Sequence, residues 1–164
     1  MINKFIDERK STRLFDNLQK IEKEDVLECI ASAMRAPSSK NEQPWRFRMI
    51  SNEDFILKLS EQSKINSWVK RASLVVIVYR YGEMQGRKKD YLAIGAAIEN
   101  LLLEAESRNI GTCWIGSDDA MNFVSQCPEA LNENCEPVAI IAMGHGISRF
   151  NKRTPRVNLE EVLV

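Results

Sequence analysis

The sequence predicts one domain in which helices pack against a β-sheet, of the α+β or α/β class. Its 164 residues correspond to about one domain of ordinary size. Hydrophobic residues make up 44% and charged residues 28% of the chain, which excludes disordered, collagenous and coiled-coil proteins. Helix-like and strand-like segments alternate, about four of each, without an internal repeat. We therefore expect a single domain over residues 1–164.

The first half of the chain predicts two helices and two strands. Residues 24–34 carry apolar side chains three and four positions apart, as in a helix with one buried face, and Pro37 ends this pattern. Residues 45–50 alternate apolar side chains with arginines, which predicts a strand with one exposed face. The inward residues of the helix expected next are Phe55, Ile56 and Leu59. Residues 73–79 form a β-branched run typical of a strand near the sheet centre, covered on both faces.

The second half contains the longest predicted helix, residues 90–108. Its first four turns have little polar face, so it should be buried nearly all round, by the chain's own sheet or by a second subunit. Asn109 and Gly111 supply left-handed stop signals after it. The remaining predicted elements are a strand at 112–115, a helix from Ser117 or Asp118, a buried strand at 137–143 and an extended basic tail from about residue 147.

The charge balance excludes partners that recognise a strong electrostatic field. Basic and acidic residues number 23 each, so neither nucleic acid nor an anionic membrane is expected as a partner. The chain has no apolar run long enough to span a bilayer, and its first ten residues include charged side chains where a signal peptide would be apolar. We therefore expect a cytoplasmic protein.

Disulfide and metal chemistry are also disfavoured. The cysteines have no CxxC spacing and are expected to be buried free thiols; they are Cys29, Cys113, Cys127 and Cys135. The single histidine, His145, cannot build a multi-histidine zinc site, and we expect a structural role for it. The GxSxG, P-loop and GxGxxG motifs of hydrolases, NTPases and Rossmann dehydrogenases are all absent. An organic cofactor would therefore have to carry any redox chemistry.

Three segments combine polar or basic residues with loop geometry. Arg9 and Arg13 flank Ser11, and on one side of a helix end their guanidiniums would suit a phosphate group. Residues 35–47 contain two prolines that fix a short loop carrying serine, asparagine and glutamine side chains. Residues 111–118 place a glycine between a strand and a helix, where backbone N–H groups can reach a ligand. Each segment alone is compatible with an ordinary turn, so their meaning depends on whether they converge.

Together, these segments resemble the FMN-dependent nitroreductase family. The shared motifs are an RxSxR-like start, an APSSxNxQPWxF loop, an AxxNLLLxA helix and a WIG turn, which span Arg9 to Gly146. The stretch APSSKNEQPWRF is the specific signal among them. The resemblance implies an α+β homodimer with a mixed, mainly antiparallel sheet flanked by helices and a long buried central helix. It also implies FMN at two sites in the subunit interface, with contacts from both chains.

The resemblance places the flavin contacts on matching positions of this sequence. The family's RRSxR segment, which holds the flavin phosphate and pyrimidine edge, here reads Arg9, Lys10, Ser11 and Arg13, with lysine in place of one arginine. The loop supplied by the partner chain corresponds to Pro37, Ser38, Ser39 and Asn41, with Arg35 as an added contact. The turn beside the isoalloxazine corresponds to Trp114, Ile115 and Gly116.

The same resemblance implies contacts from two further regions. Basic residues before the C-terminal segment would close the phosphate pocket, and the candidates are Arg153 first, then Arg156 and Lys152. An asparagine ahead of the second strand contacts the flavin in some members, and Asn66 matches it with a one-residue shift. Many family enzymes are longer, with inserted helices that wall the substrate channel, and this chain has little room for them.

The activity implied is that of an FMN-dependent NAD(P)H oxidoreductase without a catalytic side chain, since the flavin carries the chemistry. NADH or NADPH would deliver hydride to flavin N5 and leave, and a small acceptor such as a nitroaromatic or quinone would then occupy the same face, in a ping-pong sequence. A second hypothesis is a flavin-binding storage or sensing protein without nicotinamide turnover. A third, an interaction module with basic ends for acidic partners, explains the charge clusters but not the rigid polar loop.

Overall fold

The computed structural model describes residues 2–62, 64–82, 87–128, 130, 134–147 and 154–163. Within them, a four-stranded antiparallel sheet is covered by helices on both faces, which confirms the predicted α+β class. The strands are β1 (Trp45–Ile50), β2 (Leu74–Tyr81), β3 (Gly111–Ile115) and β4 (Cys135–Gly144). The helices are α1 (Ile2–Glu8), α2 (Lys23–Ala33), α3 (Glu53–Glu61), α4 (Lys88–Ser107) and α5 (Asp118–Gln126), and 3₁₀ helices occupy Ser39–Asn41, Lys64–Arg71 and Leu159–Glu161.

The two strands that carry continuous apolar runs, β2 and β4, form the centre of the sheet, whose order is β1-β2-β4-β3. Side chains of β2 alternate between two cores: Val76 and Val78 pack with α2 and α4, whereas Val75 and Ile77 pack with α3 and α5. Because helices cover both faces, both sets are buried, and each side chain contributes roughly 1.5–3 kcal/mol relative to exposure. This arrangement explains the continuous apolar run in β2. The predicted position of this strand near the centre of the sheet is confirmed.

Helix α4 is the longest element, but one chain does not bury it all round. Its inner face is buried against α2 and the sheet, whereas Leu92 is 66% exposed and Gly95 and Ala96 are half-buried beside it. Of the two predicted ways to cover this helix, the chain's own sheet alone is therefore insufficient, and cover by a second subunit stays a prediction. Asn109 supplies the left-handed residue after the helix, with a φ of 57°, while Gly111 is already the first residue of β3.

The ends of the chain differ most from the sequence prediction. Helix α1 packs against α4 and was not predicted, which gives five α-helices among the described residues instead of about four. The described tail is extended and exposed from residue 154 to the short 3₁₀ helix, and its exposed apolar residues are Val157, Leu159, Val162 and Leu163. None of the described helices is long and apolar enough to cross a membrane.

Candidate functional site

The basic segment, residues 9–13, runs along the free edge of β3. Ser11 forms a parallel bridge with Thr112, and the Thr12 N–H donates to the Thr112 carbonyl at 2.8 Å. Because α1 already ends at Glu8, the predicted placement of the two arginines on a helix end is wrong. The segment instead acts as a short addition to the sheet, which fixes its position through backbone hydrogen bonds.

Alternate residues of the basic segment influence the pKa of one buried thiol. Burial raises the pKa of Cys113, while Arg13, a hydrogen bond from Ser11, and Arg9 lower it. The three residues alternate along the segment, and alternate residues of an extended chain share a side. Arg9 is also drawn towards α4: its Nε lies 3.6 Å from Glu99 Oε1, and its side chain is only 15% exposed.

Lys10 adds a third cation at this edge of the sheet. Burial raises the pKa of Glu106 on α4, whereas the positive charge of Lys10 lowers it. A chain with zero net charge thus carries three neighbouring basic residues beside β3. Glu99 and Glu106 neutralise part of this positive charge, and the remainder suits an anionic group such as a phosphate.

The turn after β3 is open on its outer side. Ile115 is buried, whereas Trp114 is 43% exposed, and a Cβ added at Gly116 would meet no atom within 4 Å. Ser117 follows as the residue before α5, and its Oγ accepts a hydrogen bond from the buried Asn66 Nδ2 at 2.8 Å. The fold thus brings the turn, the basic segment and Asn66 to one region around β3.

The polar loop, residues 37–43, lies against the N-terminal half of α4. Lys89 Nζ donates to Ser39 Oγ at 3.2 Å, and Ser38 Oγ accepts from the Gln43 N–H at 3.0 Å. Between loop and helix is a shallow groove of about 280 Å³ lined by Pro37, Ser38, Ser39, Lys89, Leu92, Ala93 and Ala96. The predicted hydrogen-bonding groups of the loop are therefore largely exposed beside an apolar surface.

One chain does not bring the polar loop to the basic segment. Ser39 accepts a hydrogen bond from Lys89 on α4, whereas Arg9 faces Glu99, which lies ten residues further along the same helix. At a rise of 1.5 Å per residue, these points are about 15 Å apart along the helix axis. The predicted site residues therefore form two groups at different heights of the same helix.

Arg35 lies apart from the polar loop, beside the C-terminal half of α4. The arginine is exposed and lines a separate cavity of about 390 Å³ between α2, α1 and α4. Its neighbours around this cavity include Phe5, Asn100 and Leu103. The structure thus places Arg35 beside the C-terminal half of α4 rather than in the groove of the polar loop.

The remaining candidates lie near the C-terminus. Arg156 is exposed, and its guanidinium donates to the backbone carbonyl two residues before it at 3.2 Å. Arg153 and Lys152 lie outside the described residues. His145 accepts the Asp16 N–H at its backbone carbonyl, at 2.8 Å, which fastens the chain after the basic segment to the end of β4.

Sequence reasoning missed a charged cluster that holds the polar loop. Glu42 accepts hydrogen bonds from Lys89 and Arg87, and Arg87 also bonds the buried carboxylate of Asp90. The sequence signal was a glutamate within the loop and an RKKD run at the start of α4. Their separation of more than forty residues concealed the pairing.

Comparisons with known proteins agree with this architecture. The family model described as the nitroreductase family matches residues 6–65 and 56–145. An Archaeoglobus fulgidus protein with the provisional name NADH dehydrogenase/NAD(P)H nitroreductase is 30% identical over 146 residues, 87% of this chain and 83% of its own. A solved structure provisionally named NADH oxidase, from Clostridium acetobutylicum, has a TM-score of 0.83, 29% identity and 98% coverage of both chains. A provisionally named nitroreductase from Desulfovibrio desulfuricans, solved with FMN, has a TM-score of 0.86 and 28% identity, covering 99% of this chain and 95% of its own.

Proposed function

Because this chain belongs to the nitroreductase family, we propose that it is an FMN-dependent NAD(P)H oxidoreductase that reduces a small acceptor. The observation that carries the proposal is the convergence at β3 of a basic segment, an exposed tryptophan and an open glycine turn. No single one of these features identifies a cofactor. Their arrangement along one strand matches a ligand that is flat at one end and anionic at the other.

The residues around β3 fit FMN. The open space over Gly116 leaves room for a ring to approach the backbone, and Trp114 offers exposed aromatic surface beside it. Arg9, Lys10 and Arg13 supply the positive charge that a phosphate and the pyrimidine edge of a flavin require. The residues proposed to hold FMN from this side are Arg9, Lys10, Ser11, Arg13, Trp114, Ile115 and Gly116.

When bound, FMN would supply hydride transfer at its N5 atom between a nicotinamide donor and an acceptor. The chain's own residues would bind and orient the ring, and the cationic segment would offset negative charge near the pyrimidine edge. No side chain in this scheme has to act as an acid or a base. Donor and acceptor would occupy the same open face in turn, which is the ping-pong order.

We further propose that a second copy of the chain completes each site. The polar loop lies about 15 Å along α4 from the basic segment, so the loop facing a given basic segment would come from the partner. The apolar strip of α4, formed by the exposed Leu92 and the half-buried Ala96, provides a surface that such a partner would cover. The residues proposed to reach the partner's flavin are Arg35, Pro37, Ser38, Ser39 and Asn41, with Arg153 or Arg156 near the phosphate.

Flavin binding and anaerobic reduction test this function. The purified protein should bind FMN more tightly than riboflavin, because only FMN carries the phosphate that the basic segment would recognise. NADH or NADPH should bleach the bound flavin in the absence of oxygen, and a nitroaromatic or quinone should restore its colour. A protein that binds no FMN would overturn the proposal, and bound flavin that neither nucleotide reduces would favour the storage or sensing hypothesis.

A further inference from the structure

The polar loop adopts a backbone conformation that its sequence does not favour. Three non-glycine residues of the loop lie in the left-handed region of backbone conformation: Lys40 with φ 53°, Asn41 with φ 56° and Gln43 with φ 49°. Asparagine tolerates this region, but lysine and glutamine rarely occupy it. Such a conformation persists only where surrounding contacts hold it in place.

Hydrogen bonds within the loop set its internal shape. Ser38 receives the Gln43 N–H on its Oγ and the Asn41 N–H on its carbonyl, both at 3.0 Å. Gln43 Nε2 also donates to the Asn41 carbonyl at 3.3 Å. These contacts join the loop to itself, so they leave its position relative to α4 undetermined.

Charged residues at the start of α4 bind the loop to this helix. Glu42 Oε1 accepts from Lys89 Nζ at 3.1 Å, and Glu42 Oε2 accepts from Arg87. Arg87 is itself fixed by Asp90, which is 3% exposed, through contacts of 3.3 and 3.2 Å. Hydrogen bonds from Lys89 and then Arg87 lower the pKa of Glu42, so this carboxylate is ionised at neutral pH.

The same lysine links Glu42 to a proposed flavin contact. Lys89 Nζ bonds both Glu42 Oε1 and Ser39 Oγ, at 3.1 and 3.2 Å. An ammonium group has only donors, so Ser39 must act as the acceptor in this bond. The Ser39 hydroxyl proton is then free to point away from Lys89, towards a ligand that accepts a hydrogen bond.

We propose that Glu42 is a positioning residue for flavin binding, acting through Lys89 to orient the Ser39 hydroxyl as a hydrogen-bond donor. The inference rests on the proposed function and adds a residue to it. Glu42 occupies the open position of the NxQPW motif, so the motif itself does not specify this role. Simple electrostatics predicts the opposite effect on FMN affinity, because removing the negative charge of Glu42 should by itself favour an anionic ligand.

The test uses the full-length chain and FMN affinity measured by quenching of flavin fluorescence. Glu42→Gln should weaken FMN binding by about tenfold, a cost typical of a lost hydrogen bond to a charged group. In a Ser39→Ala background, Glu42→Gln should cause little further loss, because both changes remove the same donor. Lys89→Met should behave like Glu42→Gln in both backgrounds, and it provides the same test if Glu42→Gln does not fold.

The matched control is Glu53→Gln. Glu53 forms an exposed ion pair with Lys20 at 3.1 Å and takes no part in the loop, so this variant should bind FMN like the wild type. Wild-type affinity in Glu42→Gln, or full additivity with Ser39→Ala, would overturn the positioning role while leaving the proposed function intact. A wild-type chain that binds no FMN would instead overturn the proposed function itself.

Discussion

Thr12 packs directly against the backbone of Gly111. A Cβ added at this glycine would lie 2.8 Å from both Cγ2 and Oγ1 of Thr12, closer than such contacts occur in proteins. Thr12 is buried, and its N–H is bonded to the next residue of β3, so it has little room to withdraw. The close approach of the basic segment to β3 therefore depends on a residue without a side chain at position 111.

Gly111→Ala should separate the basic segment from β3. Overpacking a buried contact typically costs about 1–3 kcal/mol, so we expect an unfolding free energy lower by this amount and weaker FMN binding. Urea denaturation and FMN titration measure the two effects. Thr12→Ala in the same chain removes the two clashing atoms and should restore part of the stability; a Gly111→Ala protein as stable as the wild type would contradict the packing argument.

Gly116→Ala should affect the ligand and not the fold. The added Cβ has no atom within 4 Å in the chain, so the unfolding free energy should stay within about 0.5 kcal/mol or rise slightly through a less flexible unfolded state. FMN affinity should fall, because the methyl group would occupy space proposed for the ring. Equal FMN affinity in the two proteins would remove Gly116 from the proposed site.

Leu92→Glu should convert the proposed homodimer into a monomer. Leu92 is 66% exposed on the apolar strip of α4, where a carboxylate would be costly to bury against a second copy. Light scattering coupled to size exclusion measures the mass. Leu18→Glu is the control, because Leu18 is 88% exposed in a turn away from this strip and its substitution should leave the mass unchanged.

The folded state should lose stability at alkaline pH. Burial raises the pKa of Cys29 from 9.0 to about 12 and that of Tyr79 from 10.0 to about 12, with Glu104 adding to the effect on Cys29. The unfolded chain releases both protons first, so stability is complete below about pH 9 and declines as pH rises towards 12. Titration of Cys29 alone would lower the unfolding free energy by roughly 3 kcal/mol at about pH 11.

Denaturation midpoints measured between pH 8 and 11 test this expectation. Cys29→Ala should start from its own lower stability but show a shallower decline, because one of the two titrating groups is missing. An identical slope in the two proteins would show that the Cys29 thiol does not titrate as its burial requires.

Local sequence patterns were sufficient to predict the central strands of the sheet. Strands β2 and β4 are covered on both faces, so their apolar runs identify them without knowledge of the partners. Helix α1 was missed because its seven residues are too few to show a clear period, and short helices depend on tertiary packing for stability.

The site was predictable by segment but not in its geometry. Arg9 and Arg13 share a side in a helix and in an extended chain alike, so their spacing could not distinguish the two. Two contacts of the site join residues far apart in sequence. The Thr12 N–H donates to the Thr112 carbonyl, and Lys89 donates to Glu42. Neither contact leaves a periodic signal in the sequence. The family resemblance therefore identified the candidate site residues, and the structure was needed to describe how they are arranged.

Mixed dimers test most directly whether each flavin site combines two protomers. Arg13→Met would disable the basic segment and Ser39→Ala the polar loop, and each variant alone should bind FMN weakly. Mixing the two after dissociation should create dimers in which one site has an intact segment from one chain and an intact loop from the other. The account predicts one FMN bound with wild-type affinity per mixed dimer; weak binding at both sites would contradict it and place the loop and the segment of one site on the same chain.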